Sequence, residues 1–128
     1  MGLEFLWDTN TVIYYLQKQF PPDAEVFIDG IVEHNQPVIS VITEIELLCW
    51  RTAGDDSLAA IRDFISRSVV YELDEVIKLK TIEVRKQFKL KLPDAVIAAS
   101  ALVNDHTLIT RNMSDFGKIS TLKSVNPF

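Results

Sequence analysis

The chain has 128 residues, of which 48% are hydrophobic, and its formal net charge is −5. This composition predicts one globular domain over residues 1–128 and argues against a simple nucleic-acid-binding surface. No apolar run approaches the ~20 residues of a membrane span, the N-terminus lacks the basic region of a signal peptide, and the single cysteine, Cys49, excludes an internal disulfide. We therefore expect a cytoplasmic protein that does not associate with a membrane.

Apolar runs and turn signals predict strands that alternate with helices along the chain. The predicted strands are Leu3–Trp7, Val38–Val41, Val69–Leu73 and Thr107–Thr110, with room for a short last strand in Ile119–Val125. The first predicted helix runs through Val12–Leu16 and is capped by Thr9 or Asn10. The further predicted helices are Ala24–Glu33, Ile42–Thr52, Leu58–Ser66, Glu75–Phe88 and Pro93–Asn104. The segment Arg111–Gly117 is predicted to be a loop or a single helical turn. Residues Gly54–Ser57 are expected to end the third helix. This alternation predicts an α/β domain of three layers, in which helices flank a central, mostly parallel sheet of four to five strands.

The sixth predicted helix carries one charge, Asp94, in the otherwise apolar run Leu92–Val103. Pro93 suits the first helical position, where a missing N–H costs nothing. Helical spacing places Asp94 on the same face as Ile97 and Ala98, and a carboxylate on an apolar face is costly unless it is paired or binds a cation. The alternative is that Asp94 only interacts with the positive helix N-terminus.

Further acids follow the predicted strands. Asp8 ends the first strand, and Asp115 follows the fourth, where Asn112 can cap a short turn. In open α/β sheets, ligands bind at the carboxyl ends of the strands. We therefore expect Asp8 and Asp115 to lie near each other.

The second strand leads into two acids, Glu44 and Glu46. Helical spacing places Glu46 on an apolar face with Trp50, whereas Glu44 is a first-turn acid that can contact Arg51. We favour Glu46 for chemistry over Glu44, although a capping box that begins at Thr43 would give Glu46 a purely structural use.

Four carboxylates, those of Asp8, Glu46, Asp94 and Asp115, are thus predicted to share one crevice. Four such charges repel each other, and divalent cations relieve the repulsion. Oxygen ligands favour Mg²⁺ or Mn²⁺ over zinc, and such a site can activate water for hydrolysis of a phosphodiester.

The basic residues are concentrated in one segment. Residues 78–91 hold six of the thirteen lysines and arginines. This basic segment is either a solvated helix face or a patch that contacts phosphates beside the acidic crevice.

Four stretches together resemble the PIN-domain ribonucleases of the VapC toxin type. They are Leu6-Trp7-Asp8-Thr9-Asn10, Ile39–Leu47, Leu92–Ala99 and Leu108–Phe116, they occur in the family's order, and they span nearly the whole chain. The resemblance implies metal-dependent cleavage of RNA, often tRNA or rRNA, with Mg²⁺ or Mn²⁺ as the cofactor. It also implies inhibition by a cognate antitoxin, and a homodimer.

The resemblance also assigns residues. The family's acids fall on Asp8, Glu46, Asp94 and Asp115, and these four are the candidate catalytic and metal-binding residues. Many relatives have a further acid where this chain has Asn112, which offers no charge for a second metal ion. The candidates for supporting contacts around the carboxylates are Thr9, Asn10, Glu44, Thr110 and Asn112.

Other functions fit the sequence less well. An aspartyl-phosphate phosphatase needs a second aspartate where this chain has Asn10, and no glycine-rich turn follows a strand to bind a dinucleotide. Cys49 has no base near it and is expected in the core, while His34 and His106 are expected at the surface. The alternative to a nuclease is a catalytically inactive PIN-like module that binds proteins.

Overall fold

The structure is a computed structural model that describes residues 4–51 and 54–128. Two ends of predicted elements, Leu3 and Thr52, lie outside the described residues. The strands are β1 (Phe5–Trp7), β2 (Val38–Ser40), β3 (Val69–Tyr71), β4 (Thr107–Ile109) and β5 (Ser124–Val125). The helices are α1 (Thr9–Leu16), α2 (Pro22–His34), α3 (Val41–Leu48), α4 (Asp55–Arg67), α5 (Glu75–Gln87), α6 (Leu92–Val103) and α7 (Met113–Phe116).

The five strands form one sheet in the order β3-β2-β1-β4-β5, and the four pairings are parallel. Leu6 in β1 pairs with Val38 on one side and Leu108 on the other. The chain leaves β1 toward β2 and later returns to β4 on the opposite side of β1. The order therefore reverses at the carboxyl end of β1, where open α/β sheets form their ligand crevice.

Successive strand residues point to opposite faces, so each face of the sheet has its own core. On one face Trp7, Ile39 and Ile109 pack with residues of α1 to α4. On the other face Leu6 and Leu108 pack with α5, α6 and the segment that follows β4. Right-handed crossovers place α5 and α6 on the second face because the chain crosses the sheet in the reverse direction after β3. The predicted three-layer α/β fold is confirmed, and the sheet, predicted to have four to five strands, has five.

Several predicted helix starts are wrong by a few residues. Asp8, not Thr9 or Asn10, caps α1, since its carboxylate accepts a hydrogen bond from the backbone N–H of Thr9. Ser40 caps α3, so the alternative of a capping box that begins at Thr43 is not found. Helix α6 begins at Leu92, which makes Pro93 its second residue.

The segment predicted to stop a helix also behaves differently. Gly54 is the N-cap of α4, and the acids that follow it, Asp55 and Asp56, form its first turn. Acids are favourable there because they interact with the positive end of the helix dipole. Helix α3 ends earlier than predicted, at Leu48, with Cys49 as its C-cap.

Two predictions of burial are wrong. Cys49 is exposed and is the C-cap of α3, at the point where the helix ends. His106 is only 6% exposed, and its Nε2 lies 2.6 Å from the hydroxyl oxygen of Tyr71, with the two rings stacked. Burial lowers the pKa of His106 below its ordinary value. His34, at the end of α2, is exposed as predicted.

None of the helices within residues 4–51 and 54–128 has both the length and the apolar character needed to cross a membrane.

Candidate active site

A cleft of about 410 Å³ lies at the carboxyl ends of β1 and β4, where the strand order reverses. All four acids singled out from the sequence line it. The lining residues are Asp8, Thr9, Asn10, Ile13, Glu46, Trp50, Lys91, Asp94, Asn112 and Asp115.

Asp8 is the most deeply placed of these acids and is 7% exposed. One carboxylate oxygen, Oδ1, accepts a hydrogen bond from the N–H of Thr9 at 2.8 Å, and Oδ2 accepts one from Thr110 Oγ1 at 2.9 Å. Burial raises the pKa of Asp8 to about 6, the charges of Asp94 and Glu46 act in the same direction, and the two hydrogen bonds oppose them. Asp8 is therefore a carboxylate that is costly to ionise without a nearby cation.

Thr110 connects Asp8 to the next loop. While its hydroxyl donates to Asp8, the same oxygen accepts a hydrogen bond from the N–H of Asn112 at 3.0 Å. Thr110 is fully buried. Its hydroxyl thus fixes the position of Asp8 relative to the loop that carries Asp115.

A chain of hydroxyl groups positions Glu46. Thr9 Oγ1 donates to Glu46 Oε1 at 2.6 Å, and it lies 2.9 Å from Thr43 Oγ1. Since Thr9 gives its only hydroxyl proton to Glu46, Thr43 must donate to Thr9. Thr43 is fully buried, so this chain is anchored in the core.

The two acids of α3 have different surroundings. Glu46 is exposed toward the cleft and not packed against apolar neighbours as its helical face suggested. Glu44 is half-buried in the first turn of α3 and is not among the cleft residues. Within the described chain it makes no ion pair with Arg51.

Asp94 lies in the first turn of α6 and is half-buried. Its pKa is raised, first by burial and then by the charges of Asp115 and Glu46, while Lys91 lowers it. Its neighbours on the same helical face, Ile97 and Ala98, are buried in the core. The apolar face of α6 therefore fixes the place of Asp94 at the rim of the sheet.

Asn112 and Asp115 form the remaining wall. Asn112 caps α7, as predicted: its Oδ1 accepts from the N–H of Asp115, and its Nδ2 donates to Asp115 Oδ2 at 3.1 Å. Lys118 Nζ lies 4.0 Å from Asp115 Oδ1. Asn112 therefore orients the carboxylate of Asp115 in this structure.

These residues fit a divalent cation by their chemistry. Within residues 4–51 and 54–128, no group of three or more His, Cys, Asp or Glu side chains is arranged closely enough to coordinate one metal ion. The four carboxylates instead line one cleft, and mutual repulsion contributes to the raised pKa values of Asp8 and Asp94. A hard cation among oxygen ligands would relieve that repulsion and draw the carboxylates together.

Three residues that the sequence does not predict at the site contribute to it: Lys91 and Trp50 line the cleft, and Thr43 supports Glu46 through Thr9. The sequence pattern places Lys91 in the basic segment, Trp50 on an apolar helix face, and Thr43 at the start of an alternative capping box. Trp50 follows Glu46 by four residues, the spacing that places side chains on one side of a helix, although in the structure Trp50 lies two residues beyond the end of α3. That spacing was the signal that could have placed Trp50 in the cleft.

The chain belongs to the PIN domain family, whose model matches residues 5–121. A search of curated proteins by sequence found no match.

Solved structures are similar to this chain over nearly their whole length. The toxin-antitoxin complex from Klebsiella pneumoniae is 28% identical with a TM-score of 0.79, covering 98% of each chain.

Two further solved structures are similar to this chain over nearly its whole length. VapBC-1 from nontypeable Haemophilus influenzae is 26% identical with a TM-score of 0.79, again over 98% of each chain. VapBC from Salmonella typhimurium is 25% identical with a TM-score of 0.82, over 99% of this chain and 100% of that one. The resemblance to VapC-type PIN domains inferred from four motifs is confirmed.

Proposed function

We propose that the chain is a metal-dependent endoribonuclease, the toxin of a toxin–antitoxin pair, and that it hydrolyses phosphodiester bonds of RNA such as tRNA or rRNA. The observation that carries this proposal is the meeting of four carboxylates in one cleft of a PIN-family chain. We propose Asp8, Glu46, Asp94 and Asp115 as the residues that hold Mg²⁺ or Mn²⁺.

The chain's own residues would organise the reaction. Thr110 and the N–H of Thr9 hold Asp8, while Thr9 and Thr43 hold Glu46, so both carboxylates are oriented before substrate arrives. When bound, a divalent cation neutralises charge on the phosphate and makes a water molecule a stronger nucleophile. The water oxygen would bond to phosphorus as the bond from phosphorus to the leaving oxygen breaks. A cleft carboxylate would accept the proton of the water, and the leaving oxygen would take up a proton from solvent to become a hydroxyl.

The same cleft suggests how the protein is inhibited. We propose that the cognate antitoxin places a basic side chain among the four carboxylates, because charge complementarity favours a cation there. The comparison structures include toxin–antitoxin complexes, which supports a partner of this kind. A complex in which no basic residue of the partner enters the cleft would refute this part of the proposal.

We propose that the basic segment, residues 78–91, binds phosphates that flank the cleavage site. Arg85, Lys86 and Lys89 line a separate shallow pocket where α5 ends. Replacing Lys86 and Lys89 by glutamate should weaken RNA binding and lessen its salt dependence. If RNA binding is unchanged, the basic segment is only a solvated helix face and does not bind phosphates.

We also propose that residues 1–128 act as one cytoplasmic PIN domain that forms a homodimer. Helix α5 supports the dimer, because Val76, Leu79 and Ile82 recur at helical spacing and are 59%, 56% and 48% exposed. Apolar side chains that are this exposed mark surfaces that associate.

A cleavage assay on total tRNA and rRNA tests the nuclease. Wild-type protein is compared with added Mg²⁺ or Mn²⁺ and with EDTA, and Asp94→Asn is compared with metal present. Glu44→Gln serves as the matched control, because it removes an acid of α3 that lies outside the cleft. We expect discrete fragments from wild type and Glu44→Gln with metal only.

No cleavage by folded, antitoxin-free wild type would overturn the proposal in favour of an inactive PIN-like protein-binding module. Metal titration of the same sample then adds a second measurement, because only the nuclease requires the carboxylates to hold a divalent ion.

A further inference from the structure

The cleft contains more than its acids. Within the described chain, the apolar residues that line it are Ile13 and Trp50, and the cationic one is Lys91. A nucleotide offers three chemistries, which are a flat apolar base, a polar sugar and an anionic phosphate. Without a bound cation, the carboxylates do not provide a surface for the base or a positive charge for the phosphate.

The two tryptophans of the chain have different surroundings. Trp7 is 1% exposed, and its ring contacts Tyr15 and Phe64 edge-on at centroid distances of 5.3 and 5.4 Å. Trp50 is half-buried: it packs partly against the core, lines the cleft, and has no aromatic partner in residues 4–51 and 54–128. A large ring that is left partly open in a polar cleft is available to a ligand with a flat face.

Lys91 is the N-cap residue of α6 and is exposed. It forms no ion pair within the described part of the chain, yet it lies close enough to Asp94 to influence that carboxyl electrostatically. Its ammonium group can therefore bind a phosphate without first breaking a salt bridge.

We propose that Trp50 and Lys91 form a nucleotide subsite of the cleft, in which Trp50 stacks on a base next to the cleaved bond and Lys91 binds the adjoining phosphate. A base can stack on a protein ring only when it has left its own helical stack. The subsite therefore selects unpaired nucleotides of loops, bulges or ends. This inference rests on the proposed ribonuclease function and identifies the residues that choose its substrate.

The first test measures binding through Trp50 itself. In the Asp94→Asn background, a short single-stranded oligoribonucleotide should quench tryptophan fluorescence, because a stacked base contacts the Trp50 ring at the cleft while Trp7 stays buried. The same sequence as a duplex should quench it far less. Trp50→Phe should bind the oligoribonucleotide and lose the quenching signal, which identifies the reporter.

The second test measures cleavage. Trp50→Leu should raise KM for RNA about 5- to 100-fold with a smaller change in kcat, since stacking of one base on an aromatic ring contributes about that factor. Trp50→Phe, which keeps a ring, should stay near wild type. Lys91→Gln should reduce the salt dependence of binding by about one phosphate contact, whereas Lys123→Gln, a lysine paired with Asp105 away from the cleft, should not.

The outcomes separate this inference from the nuclease proposal. If wild type cleaves RNA and Trp50→Leu cleaves the same sites with an unchanged KM, the subsite is wrong and the nuclease stands. If wild type does not cleave, the nuclease is wrong, and the fluorescence titration still decides the subsite. Equal quenching by single strand and duplex, or none by either, overturns it.

Discussion

Replacing Asp8 by asparagine should stabilise the metal-free protein. Asp8 has an ordinary pKa of 3.8 and a folded pKa of about 6, chiefly because it is buried. A raised acid pKa favours the fold fully below pH 3.8, and that contribution is lost as the pH rises through about 6. At neutral pH the ionised side chain therefore costs the fold about 3 kcal/mol relative to its protonated form.

Asparagine removes this charge and keeps most of the local contacts. Its Oδ1 can still accept from the N–H of Thr9, so α1 keeps its cap. Its amide offers a donor where Asp8 accepts from Thr110, which disturbs that hydrogen bond at a cost of about 1 kcal/mol. The expected net gain is about 2 kcal/mol at about pH 7.5, and the gain should shrink by over half at about pH 5.

Urea unfolding followed by circular dichroism, in EDTA, measures the difference between wild type and Asp8→Asn at both pH values. Asp63→Asn, an exposed acid on α4, is the control and should change stability by less than about 0.5 kcal/mol at either pH. Mg²⁺ should then stabilise wild type more than Asp8→Asn, because the variant lacks one of the carboxylates proposed to bind the metal. A destabilised variant at about pH 7.5, or an equal difference at both pH values, would refute the electrostatic reasoning.

Three further outcomes are expected. Thr9→Val should reduce cleavage about a hundredfold by releasing Glu46, whereas Thr9→Ser keeps the hydroxyl and most of the activity; equal loss in both would contradict a positioning role. Because the folded pKa of His106 lies below 6.5, the stability of wild type relative to His106→Gln should fall as the pH drops below 6.5, as urea titrations at several pH values would show. Leu79→Glu should convert a dimer to a monomer in light scattering at micromolar concentration, and a dimer that persists would remove α5 from the interface.

The fold was predictable because its strands are short and apolar and lie between clear breaks. Runs such as Val38–Ser40 are fully buried, so the hydrophobic pattern alone marks them. The fold class needed nothing more than their alternation with helices. The convergence of four acids also followed, since parallel strands end on the same side of the sheet.

The errors share a physical cause. The exposure of Cys49 and the burial of His106 depend on where α3 and α6 end and on what packs against those ends, and neither is encoded in local periodicity. The position of Asp8 between a strand and a helix suits both a helix cap and an acid that binds a ligand, and in the structure Asp8 caps α1 and also lines the cleft. Sequence spacing alone does not show whether such a side chain caps a helix, binds a ligand, or does both.

The hydrogen bond from Thr110 to Asp8 joins two residues that are 102 positions apart. The same ends of the sheet are held by the N–H of Asp8, which donates to the carbonyl of Ile109. During synthesis the first half of the chain emerges with Asp8 and Glu46 but without β4 beside β1. The cleft therefore cannot assemble on a ribosome-bound fragment that ends before Asp115. If the chain cleaves RNA as proposed, a nascent chain could not do so before the segment through Asp115 has been made and β4 has joined β1.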